Sequence, residues 1–233
     1  MLGRLRWIFF AALCAGLLAG GVMSVAHQVA MVPLILQAEV YEDSAAPPTD
    51  HAPTDHAPTD HAHTPSAMER ALLTLIADLL AGIGFALLLS AGLALRGGAI
   101  TVPMGMVWGV AGFAAFSLAP ALGLPPELPG AEAAGLAARQ IWWLATVAAT
   151  AGGLALVAFG YRLVLAVAGV ALIAGPHVIG APHPLAHASM VPAELTRSFV
   201  IGAMATNLIF WVILGAACVF FMRRFARSAQ EAS

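Results

Sequence analysis

Long apolar runs alternate along this chain with short segments that hold nearly all its ionisable residues. The runs cover 7–28, 71–95, 100–119, 141–160, 163–178 and 199–222. A helix needs about 20 apolar residues to cross the hydrocarbon of a bilayer. Runs 71–95 and 199–222 exceed that length, and 100–119 and 141–160 reach it. Run 163–178 is short, and Arg162 is the one charge before it. The pattern predicts an all-α integral membrane protein. Its expected form is a single membrane domain over 1–233, a bundle of six transmembrane helices, or five if 163–178 does not span.

The charges sort by side. With six spans, both termini share one side with Arg4, Arg6, Arg96, Arg162, Arg223, Arg224 and Arg227. The other side receives Arg70, Arg139 and Arg197, seven of the eight histidines and ten carboxylates, a formal charge of −7. Cytoplasmic segments of membrane proteins are enriched in Arg and Lys, so the arginine-rich side and both termini are expected in the cytoplasm. A five-span reading would put Arg223, Arg224 and Arg227 outside, against that bias.

Composition agrees. Of the 233 residues, 61% are hydrophobic and 9% charged, against about 25% charged in soluble domains. All ten basic residues are Arg, so a P-loop lysine is excluded. No metalloprotease, nucleophile-elbow or nucleotide-loop motif occurs, so nothing points to an enzyme. No basic patch with interleaved aromatics points to nucleic acid. Cys14 and Cys218 lie inside apolar runs and read as small buried hydrophobes, not a disulfide or zinc site. Arg4 and Arg6 before run 7–28, with Ser24-Val25-Ala26 after its centre, resemble a signal peptide. Apolar character continuing to Leu36 favours an uncleaved first helix instead. A bacterial inner membrane is the natural location.

Segment 44–67 differs in composition. T-D-H-A-P repeats at 49–53 and 54–58, and T-D-H-A-H follows at 59–63. Proline every five residues blocks a helix, and no apolar side chain larger than Ala is available for a core apart from proline. A disordered or polyproline-like loop on the outer side is expected. Within the runs, Gly16 and Gly20, then Gly105 and Gly109, have the four-residue spacing that lets helices approach closely. The three outer connections share a plan of helix, Pro-and-Glu segment, Arg and next helix. Their members are Pro33, Glu39 and Arg70; Pro120, Glu127 and Arg139; Pro176, Glu194 and Arg197. Related hairpins and a chance pattern both fit, because the spacings differ.

Three sets of residues carry candidate chemistry. His51, His56, His61 and His63 in the acidic linker offer imidazoles beside carboxylates, a donor set for divalent transition metals. Glu39, Glu42, His177, His183, His187 and Glu194, with Glu127, lie at or near outer helix ends and offer mixed nitrogen and oxygen ligands. Solvated polar residues at a membrane surface would look the same. Within the spans, Asp78 is an ionisable group in hydrocarbon, a functional candidate because burying it is costly. It shares a helix face with Arg70 and Thr74, about 12 Å along the axis from Arg70. Thr146 and Thr150, with Trp143, and Asn207, with Thr206 and Trp211, are further polar positions for a path or for interhelical hydrogen bonds. Arg139, Trp142 and Trp143 read as an interfacial anchor, and Arg70 and Arg197 as its counterparts.

Several of these segments resemble one family. Pro33 through Glu42 (PLILQAEVYE) is similar to its first signature. Trp108 through Phe113, Leu118 through Gly130, and Arg139-Gln140-Ile141-Trp142-Trp143 are similar to its central one. Pro176-His177, Gly180-Ala181-Pro182 and Val191 through Leu195 are similar to its last. The family is CbtA, predicted cobalt transporter subunits, and the resemblance covers nearly the whole chain. It implies a permease subunit for Co²⁺, associated with cobalamin metabolism, and a small one-helix, histidine-containing partner, CbtB. It supplies no ligand residues. No bound cofactor is expected, since Co²⁺ would be cargo. The combined reading is uptake of Co²⁺ from an acidic outer face, with nickel or another divalent cation, or a non-transporting sensing or assembly role, as alternatives.

Overall fold

The computed structural model describes residues 2–45, 66–129, 131, 133–183 and 191–231, and every regular element among them is helical. The first helix, α1 (Leu2–Ala26), passes through a π-helical turn at His27–Met31 into α2 (Val32–Ala45). After the linker come α3 (Ala67–Arg96) and α4 (Val102–Phe113). A second π turn, Ala114–Leu118, leads from α4 into the short α5 (Ala119–Ala121). The chain finishes with α6 (Leu136–Phe159), α7 (Leu163–Ile179) and α8 (Ala193–Glu231).

Five segments are long and apolar enough to cross a membrane: Leu5–Tyr41, Ala67–Arg96, Val102–Ala121, Leu136–Phe159 and Ala193–Ser228. The 17-residue α7 is shorter. At 1.5 Å per residue it is about 25 Å long, somewhat less than the roughly 30 Å of a hydrocarbon core. It nevertheless runs back along α6. Leu165 lies against Gly160 at one end and Gly169 against Gly153 in the middle. At the other end the Trp142 indole donates to the Pro176 carbonyl at 3.3 Å. α7 therefore returns the chain to the level at which α6 began. Segment 46–65, with its repeated histidines, lies outside the described residues.

Each π turn ends two residues before a proline, Pro33 and Pro120. Proline has no amide hydrogen and its ring crowds the preceding turn. A wider turn just upstream lets the helix continue past it instead of breaking. The first apolar run is thus one 37-residue helical segment. It is about 55 Å long, more than the roughly 40–45 Å of a bilayer with its headgroups, so it tilts within the membrane or projects beyond it.

The core forms where α1, α3, α4 and α8 meet. Alanines 11, 12, 15, 19 and 86 are fully buried and let the backbones approach. Phe210, Trp211, Leu214, Cys218 and Val219 of α8 fill the rest. The glycine pairs sit at the closest approaches. Gly16 and Gly20 of α1 face the Asp78–Ile83 stretch of α3, and Gly105 and Gly109 of α4 face Trp211 and Gly215 of α8. α6 and α7 form a hairpin beside this core, touching it mainly through the second π turn and α5.

The two ends of the bundle differ in charge. At the arginine end, Trp7, Leu93, Gly97, Ile100, Met222 and Arg223 line one cavity of about 170 Å³, so the start of α1 and the far part of α8 lie together. At the acidic end, Ala38, Leu128 and Val191 form a small buried cluster with Ile35, Leu195 and Phe199. Each of the three Glu-bearing connections supplies one of its buried members, so the three meet there.

Candidate functional site

Asp78 lies 11 residues into α3, about 17 Å from its start. Its side chain is turned into the bundle and is 12% exposed. One carboxylate oxygen, Oδ2, is 3.0 Å from Nδ1 of His27, whose side chain is 27% exposed. The contact follows from local geometry. α1 and α3 are antiparallel, and side chains on a helix lean towards its N-terminus. His27 lies beyond Gly20 towards the acidic end and leans back. Asp78, beside Gly20, leans towards the acidic end from α3. The two meet in the gap that the backbone contact of Gly20 with Asp78 and Leu79 holds narrow. His27 also opens the first π turn, and such turns are frequent at functional sites.

His27 is the residue that sequence reasoning missed. The signal was available, because an imidazole within an apolar run satisfies the same cost argument that singled out Asp78. Its partner lies 51 positions away on another helix, which no spacing reveals. Thr74, one turn before Asp78, donates to the Arg70 carbonyl at 2.9 Å.

At the acidic end the carboxylates pair with arginines. Glu39 accepts from Arg70 at 3.3 Å, and Glu127 pairs with Arg139 at 2.8 Å. In two of the three connections, the Glu thus meets an Arg in the first turn of the next long helix. Glu194 and Arg197 lie exposed in the first turns of α8. His183 is exposed. The His177 ring packs edge-on against Trp142 with centroids 5.9 Å apart, and its Nε2 is buried without a hydrogen-bond partner among the described residues. Glu42 lies in α2, and His187 falls outside the described residues together with His51, His56, His61 and His63. Among the described residues, no three of His, Cys, Asp or Glu gather as a metal site.

Two cavities lie between α6 and the core. The one nearer the acidic end has a volume of about 730 Å³ and is bordered by Ser117, Asn207, Gln140, Trp143 and the Glu127–Arg139 pair. Ser117 donates to Asn207 Oδ1 at 3.3 Å across it, and Asn207 Nδ2 donates to the Ala203 carbonyl at 2.9 Å. The other, about 500 Å³, is lined by apolar groups including Phe85, Trp108 and Phe159. Phe116, on the second π turn, borders both. Its ring stacks on Trp211 at 5.5 Å and meets Phe85 edge-on at 5.1 Å. Trp142 is buried against α7, whereas Trp143 faces the larger cavity. Thr146 and Thr150 continue the buried face of Trp142 and Gly153, and Thr146 donates to the Trp142 carbonyl at 2.9 Å.

Fold and site together define a multi-pass α-helical membrane protein with an ionisable pair held inside its bundle. The model of one protein family, described as "Probable cobalt transporter subunit (CbtA)", matches residues 5–223. The chain belongs to the CbtA family. No curated protein and no solved structure matches it.

Proposed function

We propose that this chain is the permease subunit of a Co²⁺ uptake system. The observation that carries the reading is Asp78, the one acidic residue in the six apolar runs, turned into the bundle and not towards lipid. A carboxylate costs several kcal/mol or more to bury in an apolar medium, and a cation path gives it a use.

In this reading the arginine end is cytoplasmic, the membrane is a bacterial inner membrane, and the His-rich linker lies outside. The concentration of acids on the outer segments attracts divalent cations. His51, His56, His61 and His63 capture them, and Glu39, Glu42, His177, His183, His187 and Glu194 receive them at the acidic end. Glu39 can take part only by leaving Arg70, an exposed pair worth about 0–1 kcal/mol and so readily exchanged. Thr74, Asp78 and Asn207 provide polar positions further in. Thr146 and Thr150 serve the α6–α7 packing on which that arrangement rests. A small one-helix, histidine-containing subunit completes the system.

Uptake of radiolabelled Co²⁺ into cells expressing the chain, with and without that small subunit, tests the reading. Accumulation above vector controls, reduced by excess unlabelled Co²⁺ more than by Ni²⁺, is expected. Correct membrane insertion without uptake in either case would remove the permease claim, and stronger competition by Ni²⁺ would reassign the cargo. Replacing the four linker histidines by Ala should lower uptake at limiting metal; unchanged uptake would remove the capture role.

A further inference from the structure

We infer that His27 and Asp78 together form a divalent-cation transit site inside the helix bundle, with His27 Nδ1 and the Asp78 carboxylate as ligands. The inference rests on the transport reading for the identity of the cation, but not for the existence of the site.

Nitrogen from neutral imidazole and oxygen from carboxylate are compatible donors for a borderline divalent metal. Metal bonds from such atoms are about 2.0–2.2 Å long, which places two ligands at right angles roughly 3 Å apart. His27 Nδ1 and Asp78 Oδ2 are 3.0 Å apart. Their hydrogen bond therefore holds the two atoms at the separation of adjacent metal ligands; a cation would sit beside the line between them, so imidazole and carboxylate would turn towards it while keeping that separation. Two protein ligands leave the remaining positions to water. Such a site holds an ion without trapping it, as transit requires.

The surroundings contain no competing charge. α8, which packs against α1 and the first π turn, has no acidic or basic residue between 198 and 222. The other ionisable residues on α3 are Arg70 and Glu69, two or more turns away, and Arg96, near the opposite end. A bound divalent cation would thus be half neutralised by Asp78, the remaining charge being left to the water that completes its coordination. His27 is the more exposed of the two side chains. A purely structural hydrogen bond between two half-buried groups is the alternative role, and it predicts no metal affinity.

The test uses the full chain in nanodiscs with His51, His56, His61 and His63 replaced by Asn, so that linker binding is removed. Equilibrium dialysis with radiolabelled Co²⁺ should detect a site whose affinity falls at least tenfold in both Asp78→Asn and His27→Gln. Gly21→Ala serves as a control that should bind as the parent does. In the unsubstituted pair, Co²⁺ should also slow carbethoxylation of His27, read by mass spectrometry, at concentrations where Mg²⁺ does not; this readout needs no variant to fold. Parent-like Co²⁺ affinity in both variants, or carbethoxylation unaffected by Co²⁺, overturns the site. If binding behaves as expected while cells show no uptake, the site stands and the transport reading fails. If uptake occurs but the pair binds nothing, transport stands and this site is wrong.

Discussion

Gly20→Ala should disable the His27–Asp78 pair with both side chains left in place. A methyl group at Gly20 would lie 2.5 Å from the Asp78 carbonyl oxygen and 2.9 Å from the Leu79 Cα. Ordinary contact for such atoms begins near 3.4 Å. The obstacles are backbone atoms and cannot rotate away, so α1 and α3 must separate by about 1 Å. The 3.0 Å contact of His27 with Asp78 would then open to roughly 4 Å, beyond hydrogen-bond range. Overpacking of this kind costs typically about 1–3 kcal/mol. Gly21 is the internal control, because a methyl there meets nothing within 4 Å. Gly21→Ala should be neutral or stabilise by about 0.5–1 kcal/mol through its better helix propensity. Thermal unfolding in detergent and Co²⁺ uptake are the two assays. Gly20→Ala should unfold several degrees earlier and lose most uptake, while Gly21→Ala keeps both. If the two variants behave alike in both assays, the close approach of α1 and α3 does not position the pair.

Gly109→Ala should be as damaging to stability as Gly20→Ala, since its methyl would strike the Trp211 carbonyl across the α4–α8 seam; parent-like thermal unfolding would refute that seam. Gly180 holds φ +91° and ψ 149° with open space around it, close to a region essentially confined to glycine, so Gly180→Ala should cost about 1–3 kcal/mol from backbone strain alone. Gly84→Ala, inside α3 with open space and no such angle, should stabilise in the same unfolding assay. Trp142→Phe removes the indole bond to the Pro176 carbonyl and should cost about 0.5–1.5 kcal/mol, with faster proteolysis between α7 and α8 as the readout. Arg70→Gln breaks an exposed pair with Glu39 and should change the unfolding temperature little; a large drop would show that the pair is structural.

Much of the fold could be read along the chain because its causes are local. Runs 71–95, 100–119 and 141–160 correspond to helical segments with similar limits, and the last run to a helix extended at both ends, Ala193–Glu231. The first extends further, since a π turn carries the helix past Pro33. Run 163–178 was the weak point in sequence, and length alone keeps it so. Its course became clear only through what it touches: Trp142 at one end of α6 and Gly160 at the other. The spaced glycines Gly16, Gly20, Gly105 and Gly109 were legible as packing residues, but not the surfaces that they pack against.

The candidate site divides in the same way. Asp78 stood out by itself, because the cost of a carboxylate in an apolar run does not depend on its neighbours. The pairing of Glu39 with Arg70 and of Glu127 with Arg139 was latent in the order of the connections. The sequence nevertheless offered these acids equally as metal ligands, and only the folded distances show them engaged with arginine.

What the sequence determined by itself was a membrane bundle with chemically unlike ends, since hydrophobic length and charge are properties of segments. What only the tertiary structure decided was which polar groups meet. His27 and Asp78 are separated by the whole connection at the acidic end, and their contact depends on the backbones of α1 and α3 closing at Gly20. Such a contact is set by the register and tilt of two helices, which are properties of the packed pair and belong to neither segment alone.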